Sequence, residues 1–189
     1  MFAPDYPIRT ERLLLRPYED GDVDAVHGYQ SLPDRVRYVP YQARTRDEVV
    51  ERVASARSST SIAAEGDVLL LVIVLRTTGE VIGDVVLFYR SEVHRTGEVG
   101  FVLKPEFTGR GYATEMAAEM LRVGFDELGL HRVVGRLDAR NAGSAAVLER
   151  LGMRREALLV ANEWVKGEWT SELDYALLAD EWAASRSSA

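Results

Sequence analysis

Hydrophobic and polar positions alternate in two distinct ways along this chain. Val68 to Arg76 is a continuous apolar run ending in a charge, the pattern of a strand covered on both faces. Thr78-Gly79 supplies a turn, and Glu80 to Tyr89 reads as the antiparallel partner. Gly83 inside that partner predicts a bulge or a close packing contact. Gly97 to Lys104 follows the polar Ser91–Thr96 turn as a third strand. The second pattern is helical. From Gly111 to about Leu128, Ala113, Met116, Ala117, Met120, Leu121, Gly124, Phe125 and Leu128 repeat at i, i+3, i+4 until Gly129 stops the helix.

The same reading places a first strand over Ile8–Arg16, ended by Pro17. Asp20-Gly21-Asp22 then caps a helix through Gln30, and Thr45 with Glu48 forms a capping box for a helix to about Ala56. Ser-rich residues 57–66 read as a loop. Val133–Ala139 is a strand, and Asn141 caps a short helix carrying Ser144, Val147, Leu148 and Leu151. Arg154–Val165 and Trp169–Leu178 form a hairpin around Lys166-Gly167, and Glu181 and Trp182 close the fold. The order predicts one α+β (mixed α/β) domain over residues 1–182, with 183–189 as a flexible tail.

Composition narrows the chemistry. The 189 residues contain no cysteine, which excludes disulfides, thiolate zinc sites and a cysteinyl acyl-enzyme. His27, His94 and His131 show no metal-ligand spacing, so no metal is expected. A net charge of −7 argues against nucleic acid as the main partner. The longest apolar run is too short for a membrane span, and a cytoplasmic location is expected.

The stretch from Lys104 to Thr114 leads a strand into a helix through Gly109-Arg110-Gly111. A helix entered through glycines points unpaired backbone N–H groups outward, a site suited to phosphate or pyrophosphate. Arg110 adds a positive charge there.

The chain resembles the GCN5-related N-acetyltransferase superfamily, in its ribosomal-protein-alanine acetyltransferase branch. The stretches that carry the resemblance are Thr10–Arg16, Gly97–Leu103, Gly109–Glu115, Leu130–Val133, Asn141–Ser144, Leu148–Met153 and Glu181-Trp182. They run in order over nearly the whole chain. The resemblance implies a mostly antiparallel, twisted central sheet, flanked by helices and splayed between its fourth and fifth strands. It also implies acetyl-CoA as co-substrate, with its pyrophosphate on the loop Thr108-Gly109-Arg110-Gly111-Tyr112-Ala113 and the Thr114 hydroxyl. The pantetheine arm would lie along Phe101, Val102 and Leu103, where a bulge would free an N–H for the thioester oxygen. Thr108 stands where the family usually has Gln or Arg. Leu148 replaces a tyrosine that many members use as an acid, and Met153 replaces the usual Phe.

Amide formation at a thioester needs a neutral amine, a stabilised oxyanion and a proton for the departing thiolate. Glu98 is the expected base, with Glu163 as the alternative; an ion pair with a neighbouring arginine is the competing role for Glu98. The resemblance implies Ser144 as the acid, since that branch commonly places Ser three residues after Asn, and Asn141 would orient the cofactor arm or cap the helix. The acceptor pocket is assigned to Tyr38, Tyr41, Glu163 and Trp164, with Tyr29 and Glu172 as further candidates. The acceptor is a primary amine, either a protein N-terminus or a small molecule, and the assembly a monomer or homodimer. A CoA-binding module with little turnover is the alternative function.

Overall fold

β3 (Val68–Leu75) sits at the centre of the molecule, with seven of its eight residues buried. Its alternate side chains serve two cores. Leu69, Leu71 and Ile73 pack on one face of the sheet, and Leu70, Val72 and Val74 on the other. A strand covered on both faces needs no polar alternation, which explains the unbroken apolar run. This is a computed structural model; it describes residues 1–187.

Eight strands make one sheet. They are β1 (Ile8–Arg9), β2 (Leu13–Arg16), β3, β4 (Val81–Ser91), β5 (Thr96–Leu103), β6 (Arg132–Asp138), β7 (Arg154–Val165) and β8 (Glu168–Leu178). Their spatial order is β1-β2-β3-β4-β5-β6-β8-β7, and only β5 and β6 run parallel. α1 (Val23–Gln30) and α2 (Arg46–Ala56) cover one face. α3 (Tyr112–Arg122) and α4 (Ala142–Arg150) cover the other.

The β5–β6 pair positions the site. It holds only from Thr96↔Arg132 to Glu98↔Val134, after which β5 has no partner on that side. These are the fourth and fifth strands of the sequence reading, and the expected splay lies between them. Gly83 does both things expected of it. The β3–β4 register shifts beside it, and a Cβ there would lie 2.2 Å from the Val102 carbonyl oxygen.

Four expectations are corrected. The strand over Ile8–Arg16 is two strands, because the Thr10 backbone and hydroxyl both bond Leu13 across a tight turn. The long helix ends as α3 at Arg122 and continues as a wider π turn over Val123–Glu127 before Gly129. No bulge interrupts β4–β5 pairing at Phe101–Leu103; the register shift lies at Tyr89/Ser91, and backbone on that segment is freed by the splay. The chain does not fray at Ala183 but forms α5 (Ala179–Ser187). Trp182 stacks on Phe125 and donates to Asp126, and Arg186 pairs with the same carboxylate. Ser188 and Ala189 lie outside the described residues.

Candidate active site

The glycine turn is built as its sequence requires. Gly109 and Gly111 have φ of +72° and +82°, a region that L side chains avoid. Glu115 N–H is the first in α3 to find a backbone partner, donating to the Gly111 carbonyl at 3.0 Å. Among the described residues, the amides from Gly109 to Thr114 donate to no protein acceptor. They form an open set of donors at the positive end of the helix.

The Thr10–Arg12 turn holds this loop from behind. Arg12 donates from Nε to Glu115 at 2.6 Å and from Nη1 to the Arg110 carbonyl at 2.9 Å, and Thr10 Oγ1 also donates to Glu115. Desolvation pushes the Glu115 carboxyl up, but the bonds from Thr10 and Arg12 outweigh it and hold it below its ordinary range. The Arg12 guanidinium also lies over the Tyr112 ring. These supports turn Thr10-Glu11-Arg12, a stretch with no obvious chemistry, into a brace for the loop.

A cavity of about 690 Å³ opens in front of these amides. All residues expected to contact the cofactor line it except Arg110. The Arg110 guanidinium instead lies 5.7 Å from the Phe107 ring centroid. Thr108 lines the cavity, but its hydroxyl donates to the Pro105 carbonyl at 2.7 Å, so that hydrogen is not available to a phosphate. The Thr114 hydroxyl has no such commitment among the described residues. Adenine nucleotide thioesters are long, carry a diphosphate and end in a flexible arm. An open amide cradle leading along an unpaired strand edge fits that shape.

A second cavity of about 430 Å³ adjoins the first along β5. The two share Tyr38, Val39, Phe101, Val102, Asn141 and Ser144 as a common wall. Glu98 lines only the second. Its Oε2 accepts from Arg90 Nε at 2.9 Å, and its side chain keeps 14% exposure. Tyr41 also lines this cavity, beneath the Arg44 guanidinium at 3.8 Å. Asn141 caps α4, its Oδ1 accepting from Ser144 N–H at 3.1 Å, which leaves its amide N–H₂ for other partners. Ser144 Oγ bonds nothing among the described residues. Leu148 fills the space against Gly135, where a Cβ would come within 2.6 Å of it.

Glu163, Trp164 and Glu172 are not brought to either cavity. Trp164 is 62% exposed and meets Trp169 edge-on across the β7–β8 hairpin. Burial and the nearby Glu163 and Asp174 raise the Glu172 carboxyl. Tyr29 is fully buried and donates to Asp84. Sequence reasoning missed Asp84, Arg44 and Arg52, which line the second cavity. Only Asp84 left a signal, as the one acid inside an otherwise apolar strand.

The acetyltransferase (GNAT) domain family matches residues 12–154. The chain belongs to the GNAT acetyltransferase family. An uncharacterised N-acetyltransferase of Bacillus subtilis is 32% identical to this GNAT chain over 175 residues, 93% of this chain and 98% of the relative. A GNAT-family acetyltransferase from Bacillus anthracis, also 32% identical, superposes with a TM-score of 0.83 over 92% of this chain and 99% of that one. A Vibrio cholerae spermidine N-acetyltransferase solved with CoA and spermine shares the fold at a TM-score of 0.77 and 21% identity, over 92% and 99% of the two chains.

Proposed function

We propose that this protein is an acetyl-CoA-dependent N-acetyltransferase that acylates a primary amine by direct attack. One observation carries the reading. Two cavities meet at a shared wall; one ends at the free amides of Gly109–Thr114, and the other holds Glu98. A two-substrate transfer needs that arrangement, because both reactants must reach one point from opposite sides.

In this reading Gly109–Thr114 amides and the Thr114 hydroxyl hold the diphosphate, and the unpaired edge of β5 from Phe101 to Leu103 holds the arm. Glu98 draws a proton from the incoming ammonium through water, using its oxygen not bonded to Arg90. The ion pair with Arg90 fixes the carboxylate in place and occupies only Oε2; among the described residues Oε1 has no protein partner. Backbone N–H groups on the splayed edge of β5 steady the oxyanion. Ser144 Oγ gives its proton to the departing thiolate and is reprotonated as the attacking nitrogen sheds its second proton, with the Asn141 amide beside it. The carbon–nitrogen bond forms as the carbon–sulfur bond breaks, and acetylated amine and free CoA leave. Tyr38 and Tyr41 wall the acceptor side. The proposal has two narrower forms: a protein N-terminus as acceptor, as the ribosomal-protein branch suggested by the sequence motifs implies, or a small-molecule amine.

The test is release of free thiol from acetyl-CoA across a panel of amines and peptides, read together with mass spectrometry of the products. Acetylated product at a rate that falls in Glu98→Gln supports the proposal. Tight acetyl-CoA binding with no product from any amine contradicts it and favours a binding module.

A further inference from the structure

The acceptor cavity is rich in arginine although the chain as a whole is acidic. Arg44, Arg52, Arg90 and Arg136 reach its wall, against two carboxylates, Asp84 and Glu98. Arg90 is neutralised by Glu98, and Arg136 has Asp174 at 3.9 Å. Among the described residues, Arg44 and Arg52 have no carboxylate within 4 Å. Arg44 is held by Gln30 and by the Tyr41 ring. Arg52 reaches in from α2, and its buried Nε has no hydrogen-bond partner.

A buried guanidinium N–H without an acceptor is costly, and an anion is its natural partner. Asp84 does not supply one. It lies within the field of Arg52 but makes no ion pair with it, and its Oδ2 accepts from Tyr29 and Gln30 instead. Burial raises the Asp84 carboxyl toward its neutral form, although Tyr29 and Arg52 oppose this. Two guanidinium groups, Arg44 and Arg52, thus line the cavity with no carboxylate of the described residues in ion-pair contact. A polyamine needs the opposite, several carboxylates along its length. The remaining wall is apolar, with Leu70, Val86, Phe88 and Leu137.

We infer that the acceptor is an amine that also carries a carboxylate, an amino acid rather than a polyamine, with its carboxylate on Arg52 and its amine at Glu98. This rests on the acetyl-transfer reading. The amine nitrogen bonds the acetyl carbon, sulfur leaves, and the carboxylate takes no part in bond making.

The experiment compares matched acceptors with acetyl-CoA: leucine against isopentylamine, 6-aminohexanoate against pentylamine, and spermidine. The wild type uses at least one carboxylated member better than its decarboxylated partner. Arg52→Gln raises KM for that acceptor about 10–100-fold, the worth of a charged hydrogen bond. It leaves KM for acetyl-CoA unchanged, which shows that the protein is folded, and Arg52→Lys restores part of the preference. Equal or better use of decarboxylated amines or spermidine overturns the inference, as does a preference that survives Arg52→Gln. Binding to the CoA-loaded protein is measured in parallel with N-acetylleucine, 6-acetamidohexanoate and N-acetylspermidine. Tighter binding of a carboxylated probe, weakened by Arg52→Gln, supports the inference even if no amine turns over. No preference, or preference for N-acetylspermidine, overturns it. Absence of turnover with every amine counts against the acetyl-transfer reading alone.

Discussion

Glu98 carries the most chemistry of any single side chain in this account, and its geometry sets what a substitution should do. Glu98→Gln keeps a hydrogen bond to Arg90 but cannot take a proton. It should lower kcat about 10²–10⁴-fold, with acetyl-CoA affinity unchanged, in steady-state kinetics paired with calorimetry. A variant with full turnover would remove Glu98 from the mechanism. Ser144→Ala should reduce kcat and leave the helix intact, because the cap depends on Asn141 Oδ1 and the Ser144 backbone. Glu115 tests the brace. Its carboxyl is held below its ordinary range in the folded protein, so its contribution is full at neutral pH. That contribution is lost as pH falls from the unfolded pKa through the lowered one. Urea unfolding across that range should show the loss in the wild type and a flatter dependence in Glu115→Gln.

At the scale of elements, the glycine turn and β4 make two predictions. Gly111→Ala puts a methyl into a left-handed position 3.2 Å from Arg12 Nη2. The strain is ~1–2 kcal/mol, and acetyl-CoA affinity should fall about tenfold if the loop shifts to relieve it. Unchanged affinity in calorimetry would separate the turn from cofactor binding. Gly83→Ala drives a methyl into the Val102 carbonyl on the strand that lines both cavities. Stability should drop by about 1–3 kcal/mol in denaturant unfolding. These elements were readable because their signals are local: β3 is an unbroken apolar run, and α3 repeats a single apolar stripe. The split between β1 and β2 was not readable, since a threonine hydroxyl rather than Gly or Pro makes the turn. α5 was missed because its anchor, Asp126, is distant in sequence and the residues after Trp182 carry no apolar stripe.

Across the whole molecule, the two halves of the site differ in how they are encoded. In the proposed reading the cofactor side is largely contiguous, from the β5 edge through the glycine turn, with residues 34–39 and α4 completing it. That is why motif and physical reading agreed there. In the same reading the acceptor side is assembled from α1, the segment before α2, α2 itself, strands β3 to β6 and α4. Arg44 and Arg52 look like ordinary polar positions until the fold closes around them. Trp164 and Glu163 looked suited to a pocket but stand on an exposed hairpin, whose turn residue Lys166 donates instead to the Val36 carbonyl. The most direct test is a crystal structure with a non-hydrolysable acetyl-CoA analogue. The diphosphate should lie within hydrogen-bond distance of amides 109–114, with the acyl group between Glu98 and Ser144. A diphosphate bound away from that turn, or an acyl group that does not reach Glu98, would contradict the proposal.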